Sequence, residues 1–381
     1  MRRAAGFAVL GFVLGGCALG PDYERPELDV PEKYIQSIDQ GESFANVPWW
    51  EVFEDPQLEA LIRVALEENQ DIRIAVARIE EFRGLLGVTR ADQFPQVDIT
   101  GSGVRNEPSE NSFPGNLPTL GDQIAETYQL SADVFFELDL FGRLRRSTES
   151  ARAQLLAIEE NRRAVTISLV AAVASTYMTL RDLDQQLEIA RRTETTRAHS
   201  LGIIEARFEK GTVARIDVNQ AEIQLTIAEA AVASAERQVA QTENQLNILL
   251  GRKPGAILRG LPLRQQAFPP SIPTGLPAEL LQRRPDVRAS EADLAAQTAL
   301  IGVAEALRWP TLTLTGSLGL ESNDLSQLTD SGSDFWNVGV GLAAPLFNAG
   351  RNRSRVDVER ARTEQALLSY EQTVIRAFRA V

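Results

Sequence analysis

The feature that limits the fold of this chain most strongly is a very long stretch without helix breakers. Residues 119–253 contain no proline, and residues 143–250 contain only two glycines, Gly202 and Gly211. We therefore expect two long helices that meet near Gly211. The first, over residues 143–208, would be about 100 Å long at about 1.5 Å per residue. An ordinary globular domain does not need a helix of this length.

The second of these helices has the spacing of a coiled coil. Its seam residues follow alternating steps of three and four: Val218, Ala221, Leu225, Ala228, Val232, Ala235, Val239, Thr242, Leu246 and Leu249. A less regular seam on the incoming helix consists of Leu183, Leu187, Ala190, Leu201, Ile204 and Phe208. Because large residues alternate with alanine, the two helices can approach closely. We predict an antiparallel coiled-coil hairpin over residues 143–250 with its tip at residues 211–217.

The chain also carries an internal duplication. Residues 71–103 align with residues 286–318 without a gap, with eleven identities in 33 positions. The identical pairs include Asp71/Asp286, Arg73/Arg288, Gly87/Gly302, Val88/Val303, Pro95/Pro310 and Thr100-Gly101-Ser102/Thr315-Gly316-Ser317. Further on, Leu140-Phe141-Gly142-Arg143 recurs, with two residues inserted, as Leu346-Phe347-Asn348-Ala349-Gly350-Arg351. Each copy therefore reads as helix, strand, loop, strand, helix.

Alternation of apolar with polar or small residues predicts the strands. In the first copy, Tyr128, Leu130, Ala132, Val134, Phe136, Leu138 and Leu140 point one way, with Phe135 as the exception on the other face. In the second copy the apolar positions are Leu312, Leu314, Leu318, Leu320, Trp336, Val338, Val340 and Leu342. Strands of about ten residues with one apolar face suit a tilted transmembrane β-strand as well as a half-buried soluble one.

Four strands cannot close a barrel by themselves. In lipid an open sheet edge is excluded, because every unsatisfied backbone group costs several kcal/mol. If these strands enter a membrane, the chain must therefore form oligomers. Two copies would give an eight-stranded barrel filled by side chains, and three copies would give twelve strands and room for a lumen.

The N-terminus has the pattern of a lipoprotein signal. Arg2 and Arg3 precede an apolar stretch that is too short to span a bilayer, and we assign residues 1–16 to a signal peptide. The sequence Leu14-Gly15-Gly16-Cys17 resembles a bacterial lipobox, which implies cleavage before Cys17 and acylation of that residue. Several acyl chains hold a protein durably on a membrane. Ala18 at the next position favours the outer membrane. A secreted protein with a chance cysteine is the alternative.

Composition argues against nucleic-acid binding and against catalysis. The chain has 39 Lys plus Arg against 52 Asp plus Glu, a formal net charge of −13. It has one histidine, His199, and one cysteine, and it lacks a P-loop, a GxSxG elbow, an HExxH motif and a complete GxGxxG motif. We predict no catalytic residue, no metal ligand and no cofactor, and hence no enzyme.

The predicted organisation follows from these patterns. It consists of a signal peptide at 1–16, a lipidated extended segment at 17–57, a first repeat at 58–253, a proline-rich linker at 254–277 and a second repeat at 278–381. The strands are expected at about 95–105, 126–140, 310–320 and 335–346. The arginine-rich helix starts, Arg143-x-Arg145-Arg146 and Arg351-x-Arg353-x-Arg355, are expected to be surface charges with local carboxylate partners, because arginine at a helix start opposes the macrodipole.

Several motifs in this order resemble a known family. They are Gly20-Pro21-Asp22-Tyr23-Glu24-Arg25-Pro26, Trp49-Trp50 with Phe53-x-Asp55-Pro56-x-Leu58, Leu280-Leu281-Gln282-Arg283-Arg284-Pro285-Asp286-Val287-Arg288, Pro345-Leu346-Phe347-x-x-Gly350-Arg351, and the tip pattern Gly211-x-x-x-x-x-Asp217-Val218-x-x-Ala221. Together they are similar to the TolC-like outer-membrane factors, in particular the lipoprotein branch (NodT/OprM-like) of RND-type tripartite efflux pumps.

The resemblance implies a mainly α protein with transmembrane β-strands. It would form a homotrimer whose twelve-stranded β-barrel, with four strands from each chain, continues into a long α-helical coiled-coil periplasmic tunnel. The hairpin tip would contact a periplasmic adaptor, the membrane fusion protein, which links it to an inner-membrane RND-type pump. The tip residues are Gly211, Thr212, Val213, Ala214, Arg215, Ile216 and Asp217.

The function implied is a passive exit duct for drugs or other small molecules in the outer membrane, anchored by lipid and extending into the periplasm. The alternatives are the duct of a type I protein secretion system and a lipid-anchored coiled-coil scaffold without a pore. Family members continue through a second long hairpin, whereas this sequence stops at Val381. We therefore expect a C-terminally truncated form without the second tip.

Overall fold

The computed structural model describes residues 18–28, 54–107, 124–266 and 281–379. The predicted signal peptide, Cys17, Trp49-Trp50 and part of the proline-rich linker lie outside the described residues. The helices are α1 (Pro56–Glu68), α2 (Gln70–Ala91), α3 (Arg143–Glu209), α4 (Arg215–Leu249), α5 (Pro285–Ala306) and α6 (Arg351–Arg379). The strands are β1 (Gln96–Asn106), β2 (Ala125–Leu138), β3 (Thr311–Ser322) and β4 (Asp334–Ala343).

The described elements repeat in the order that the duplication predicts. The first copy runs α2-β1-β2-α3 and the second runs α5-β3-β4-α6. The chain divides into two compact units that do not coincide with the copies. Of the described residues, one unit contains 18–28, 80–107, 124–157 and 289–373, and the other contains 54–79, 158–266, 281–288 and 374–379. Each unit therefore contains segments of both copies.

The four strands form one antiparallel sheet in the order β1-β2-β3-β4, within the first unit. Its registers reproduce the duplication: Val97 pairs with Val134, and the counterparts Leu312 and Leu342 pair with each other. The two copies meet where β2 pairs with β3, for example at Phe135 and Thr315. We refer to this β2–β3 pairing as the copy seam.

Two strands end earlier than the alternation predicts. β2 stops at Leu138, because the chain then turns, and the Leu140 N–H donates to the Leu138 carbonyl oxygen at 2.9 Å. β4 stops at Ala343, two residues before Pro345. Proline has no N–H to donate to a strand ladder, so the pairing is not continued there.

The core of the second unit explains the apolar middle of α3. Leu169, Val170, Val173 and Tyr177 of this helix pack against α1 and the end of α4. The remaining members of the cluster are Leu58, Leu61, Ile62, Ala65, Ala174, Leu180, Leu246, Leu250 and Ile257. Burying side chains of this size stabilises the fold by roughly 1.5–3 kcal/mol each.

A buried carboxylate, Asp55, ties three segments of this unit together. Asp55 caps α1 by accepting hydrogen bonds from the Gln57 and Leu58 N–H groups at 2.9 and 3.4 Å. It also accepts bonds from the Tyr177 hydroxyl at 3.0 Å and from Gln266 Nε2 at 2.7 Å. The helix start, the middle of α3 and the chain that follows α4 are thereby joined. Burial alone would raise the pKa of Asp55, but the hydrogen bonds from Gln266, Tyr177 and the backbone outweigh it and lower the pKa.

We expect Asp55→Asn to destabilise the protein by about 1–3 kcal/mol at neutral pH, because an amide cannot accept all four bonds and leaves buried donors unpaired. Since the folded pKa of Asp55 is lowered, the wild type keeps this contribution above about pH 4 and loses it as the pH falls through the folded pKa. The variant should lack that part of the acid dependence. Thermal melts from pH 7 to pH 3 measure both effects. Asp182→Asn on the exposed face of α3 is the control, and an equal loss in the control would contradict the prediction.

The arginines at the start of α3 differ from the expectation in one respect. Arg143 forms a bidentate salt bridge with Glu137, in which its Nε and Nη2 lie 3.0 and 2.7 Å from the two carboxylate oxygens. Arg145 Nε lies 3.3 Å from Asp139 Oδ2. The predicted carboxylate partners are thus confirmed for Arg143 and Arg145. The prediction that these arginines are surface charges is wrong for Arg146, which is 5% exposed. Its buried position is explained by the N-terminal segment that it binds.

Candidate functional site

One face of the sheet is apolar and exposed. Outward-pointing side chains include Val97, Ile99, Leu130, Leu318, Trp336, Val338, Val340 and Leu342, all of them exposed. Ile99 is 80% exposed and Val338 is 76% exposed. Adjacent strands extend the surface, because Leu318 pairs with Trp336 and Leu314 with Val340. A continuous apolar surface of this kind marks contact with a membrane or with another protein.

The opposite face of the sheet carries a hydrogen-bonded polar network. Asp133 on β2 accepts hydrogen bonds from Thr100 on β1 at 2.6 Å and from Ser317 on β3 at 2.6 Å. Ser131 on β2 also donates to Asp133, at 3.0 Å. The network links three strands across the copy seam. A sheet with one apolar face and one polar face is the arrangement of a barrel wall.

Both outer edges of the sheet are open within the described residues. β1 pairs with β2 alone and β4 pairs with β3 alone. Each edge therefore presents a row of backbone N–H and C=O groups that no described strand satisfies. Such an edge is a template for pairing with another strand.

The tip of the helical hairpin is a short, well-defined turn. α3 ends in a Schellman motif, in which Gly211 has a φ of 71°, the Gly211 N–H donates to Phe208 and the Thr212 N–H donates to Arg207. α4 begins where Asp217 accepts a hydrogen bond from the Ala214 N–H at 3.0 Å. The structure therefore brings the seven predicted tip residues together in the turn between α3 and α4 and the first residues of α4.

The surface of this tip combines charge with an exposed apolar side chain. The Arg215 guanidinium lies over the Phe208 ring, 5.6 Å from its centroid. Ile216 next to it is 67% exposed. Gly211, Thr212, Ala214 and Asp217 are also exposed. This arrangement presents a small surface suited to a protein partner.

The coiled-coil seam of α4 lies where the heptad spacing predicts it. All ten seam residues are buried or half-buried, and Val218, Ala228 and Leu246 are fully buried. The α3 and α4 arms are also joined by an ion pair between Arg191 and Glu236 at 2.7 Å. The buried seam and this ion pair thus join the two helices that carry the tip.

The described residues contain one helix, α3, with an 18-residue window apolar enough to cross a membrane, at a mean hydropathy of 1.4. Core packing accounts for apolar residues of this helix, because Leu169, Val170, Val173, Tyr177 and Leu180 belong to the buried cluster. The same described part of the chain contains no group of three or more His, Cys, Asp or Glu side chains placed to hold a metal ion.

The structure also shows two groups of residues whose role the sequence did not indicate. The motif around Asp55 is visible in the sequence, but its partners Tyr177 and Gln266 lie 122 and 211 residues away. Similarly, the motif after Cys17 gives no sign that Arg146 binds it. A signal for such pairings would have to come from correlated substitutions between distant positions.

Comparisons with known proteins agree with this geometry. The family model described as outer membrane efflux protein matches residues 61–252 and 276–381. The solvent efflux pump outer membrane protein SrpC of Pseudomonas putida is 38% identical over 384 residues, which cover 98% of this chain and 80% of SrpC. The cation efflux system protein CusC of Escherichia coli O6:H1 is 34% identical over 379 residues, which cover 98% of this chain and 80% of CusC.

A solved structure gives the same result. The open-state outer membrane channel MtrE of Neisseria gonorrhoeae matches with a TM-score of 0.83 and 32% identity, covering 95% of this chain and 80% of MtrE. The fold is therefore that of the outer-membrane channels, which combine an α-helical part with a β-barrel part. Since the family model covers well over half of the chain and the relatives match almost all of it, the chain belongs to the outer membrane efflux protein family.

Proposed function

We propose that this protein is the outer-membrane duct of a tripartite efflux system, and that three copies close a twelve-stranded barrel and form a helical periplasmic tunnel. The duct is passive. The observation that carries the proposal is the sheet, which has an exposed apolar face, a hydrogen-bonded polar face and two open edges. Only closure with further copies lets such a sheet enter lipid without unsatisfied backbone groups.

The duplication supplies a register for the contact between copies. At the copy seam, Phe135 pairs with Thr315 and Asp133 pairs with Ser317. Their counterparts in the duplication are Ala343 with Thr100, and Gly341 with Ser102. If the contact between β4 of one copy and β1 of the next repeats the copy seam, these residues lie opposite each other. Both pairs then fall on the polar face, as their counterparts do.

The register predicts a specific cross-link. The double variant Ala343→Cys with Thr100→Cys should give covalent trimers with a short thiol cross-linker, because directly opposed Cβ atoms lie about 4.5–5.5 Å apart. Ala343→Cys with Ser102→Cys, offset by two residues along β1, is the matched control and should give little product. Acylation of Cys17 would remove the one native thiol from competition.

The cross-linked trimer is then the sample for the functional test. In planar bilayers it should produce stepwise conductance. Equal cross-linking in the offset control would refute the register, whereas a correct cross-link without conductance would refute the duct. The two results are separate, so the oligomer and the function are tested independently.

We also propose that residues 211–217 contact the periplasmic adaptor. The support is the turn between α3 and α4, with the Arg215 guanidinium over the Phe208 ring and Ile216 exposed beside it. Arginine is enriched among the residues that dominate binding energy at protein interfaces, and the exposed Ile216 would add an apolar contact.

Ile216→Asp should reduce pump-dependent resistance about tenfold or more, because a charge at the centre of an apolar contact costs more than about 1.4 kcal/mol. The amount of outer-membrane protein should not change. Ile223→Asp, at a second exposed isoleucine on the same helix, is the control and should retain resistance. Resistance is measured as the inhibitory concentration of a pump substrate in cells that supply pump and adaptor. Unchanged resistance in Ile216→Asp would contradict the role of the tip.

The proposal also includes a lipid anchor on Cys17. It further states that the pump, and not this duct, selects the exported compound. The lipobox supports acylation at Cys17, and the barrel would provide the second contact with outer-membrane lipid. SrpC is named for solvent efflux and CusC for cation efflux, although both match this chain over the same share of its length. This supports the interpretation that the duct does not select the exported compound and that the pump does.

A further inference from the structure

The segment that follows Cys17 lies in a narrow slot in the first unit. A Cβ atom on Gly142 would lie 2.6 Å from Ala18 Cα, and a Cβ on Gly302 would lie 2.5 Å from the Leu19 carbonyl oxygen. A Cβ on Gly20 would lie 2.4 Å from Gly302 Cα. Real Cβ atoms do not approach so closely. The slot therefore accepts a bare backbone between two glycines, one just before α3 and one on α5.

A buried arginine closes the slot. Arg146 donates hydrogen bonds to the Leu19 and Gly20 carbonyl oxygens at 3.1 and 3.3 Å and to the Asp22 carboxylate at 2.7 Å. The Leu19 N–H donates in turn to the Phe141 carbonyl oxygen at 3.1 Å. Arginine in the first turn of a helix opposes the macrodipole. The hydrogen bonds from Arg146 to the N-terminal segment offset this unfavourable interaction with the helix dipole.

A second group of bonds holds the other end of the segment. The Glu291 carboxylate on α5 accepts two hydrogen bonds from the Arg25 guanidinium in a bidentate pair. It also accepts a hydrogen bond from the Tyr23 hydroxyl at 3.3 Å. Burial and the Glu291 charge raise the pKa of Tyr23, so its hydroxyl stays protonated and able to donate. The bonds at both ends fix residues 18–25.

The slot is built from both copies of the duplication. Gly142 and Arg146 belong to the first copy, whereas Gly302 and Glu291 belong to the second. The end of the slot at Gly142 and Arg146 lies where β2 leaves the sheet and β3 begins, next to the stacked rings of Phe141 and Trp309, whose centroids are 5.2 Å apart. The bonds to Glu291 lie further along α5, away from the sheet. The N-terminal segment thus spans the copies at one end of the copy seam.

The counterparts of these residues do not form a second slot in the chain. Gly350 and Gly87, which correspond to Gly142 and Gly302, have no atom within 4 Å of an added Cβ. Ser354 stands in place of Arg146 and Val76 in place of Glu291. The chemistry that holds the segment is therefore specific to one of the two positions.

We propose that residues 18–26 form a clasp, an extended peptide ligand of the protein's own chain, which binds this slot and joins the two copies at the end of the copy seam. The residue that carries the predicted lipid directly precedes the clasp. A lipid on Cys17 would then be attached one residue before Ala18, which the slot holds in the sheet-bearing unit. This inference goes beyond the duct and does not depend on it.

Protease protection tests the clasp in the full-length protein in detergent. A glutamate-specific protease cuts after Glu24 only when the segment leaves the slot, so the rate follows the population of the open form. Arg146→Gln and Glu291→Gln should each increase the cutting rate at Glu24 about tenfold or more. Arg145→Gln removes a neighbouring arginine that pairs with Asp139 outside the slot, and it should leave the rate unchanged.

Two further variants keep the test decisive if Arg146→Gln fails to fold. Arg25→Gln changes only the half-exposed segment itself and should also accelerate cutting. The exchange Arg25→Glu with Glu291→Arg should restore much of the protection. Fast cutting in the wild type, equal acceleration in Arg145→Gln, or unchanged cutting in Arg25→Gln would each overturn the clasp. None of these readouts requires conductance, so failure of the duct would leave the result interpretable.

Discussion

Replacement of Val338 by arginine is expected to abolish insertion of the protein into the outer membrane. Val338 lies near the middle of β4 on the exposed apolar face. An arginine on the lipid-facing side of a barrel costs about 2–4 kcal/mol near the bilayer midplane. In a trimer this cost occurs three times. Fractionation of cells should show the variant lost from the outer membrane, and bilayers should show no conductance.

The neighbouring residue provides the control for this experiment. Asn337 precedes Val338 in the same strand, so its side chain points to the polar face. Asn337→Arg adds the same charge at the same depth and should still insert. Normal insertion of Val338→Arg would show that the apolar face does not meet lipid, and it would favour a soluble sheet packed against another protein.

Replacement of Gly319 by valine is expected to disrupt the copy seam. A Cβ at Gly319 would lie 2.3 Å from the Leu130 carbonyl oxygen and 2.7 Å from Ser131 Cα. These are backbone atoms of β2, so the strands must separate to make room. Overpacking typically costs about 1–3 kcal/mol, and this clash falls on backbone in every copy. We expect a lower thermal midpoint and little detergent-resistant trimer.

Gly316→Val on the same strand is the control, because it replaces a glycine without producing this clash. An added Cβ at Gly316 would meet nothing closer than the Asn337 carbonyl oxygen at 3.6 Å. Valine also favours strands over glycine, so Gly316→Val should retain or raise the thermal midpoint. If Gly319→Val behaves in the same way as Gly316→Val, the two strands are not paired as described.

Much of the fold follows from local patterns in the sequence. The duplication and the alternation of apolar residues predict strand β3, and the heptad steps predict which face of α4 is buried. Both patterns depend only on neighbours along the chain.

The family resemblance drawn from the motifs is confirmed by the family match, and with it the efflux function, the outer-membrane location and the absence of enzyme activity. The roles of Cys17 and of residues 211–217 stay predictions.

The contacts of Arg146 and Asp55 could not be predicted in this way. Arg146 binds Asp22 across 124 residues, and Asp55 binds Gln266 across 211 residues. Neither partner is marked by spacing or composition. From the sequence alone, an arginine at a helix start is interpreted as a solvated surface charge. In the structure the N-terminal peptide covers Arg146 and buries it. Tertiary burial, which no local pattern encodes, reversed that interpretation.

The duplication also shapes the interior of the proposed barrel. On the polar face, β2 contributes Gln129, Asp133 and Glu137, whereas the matching positions of β4 are Asn337, Gly341 and the turn after the strand, with Gly339 between them. The β2 stripe of the wall therefore carries long polar and acidic side chains, whereas the β4 stripe, separated from it by β3, consists largely of small residues. If copies of this sheet close into the proposed barrel, its inner wall would carry acidic stripes separated by stripes of small side chains, so a cationic solute would meet its carboxylates in rows along the wall.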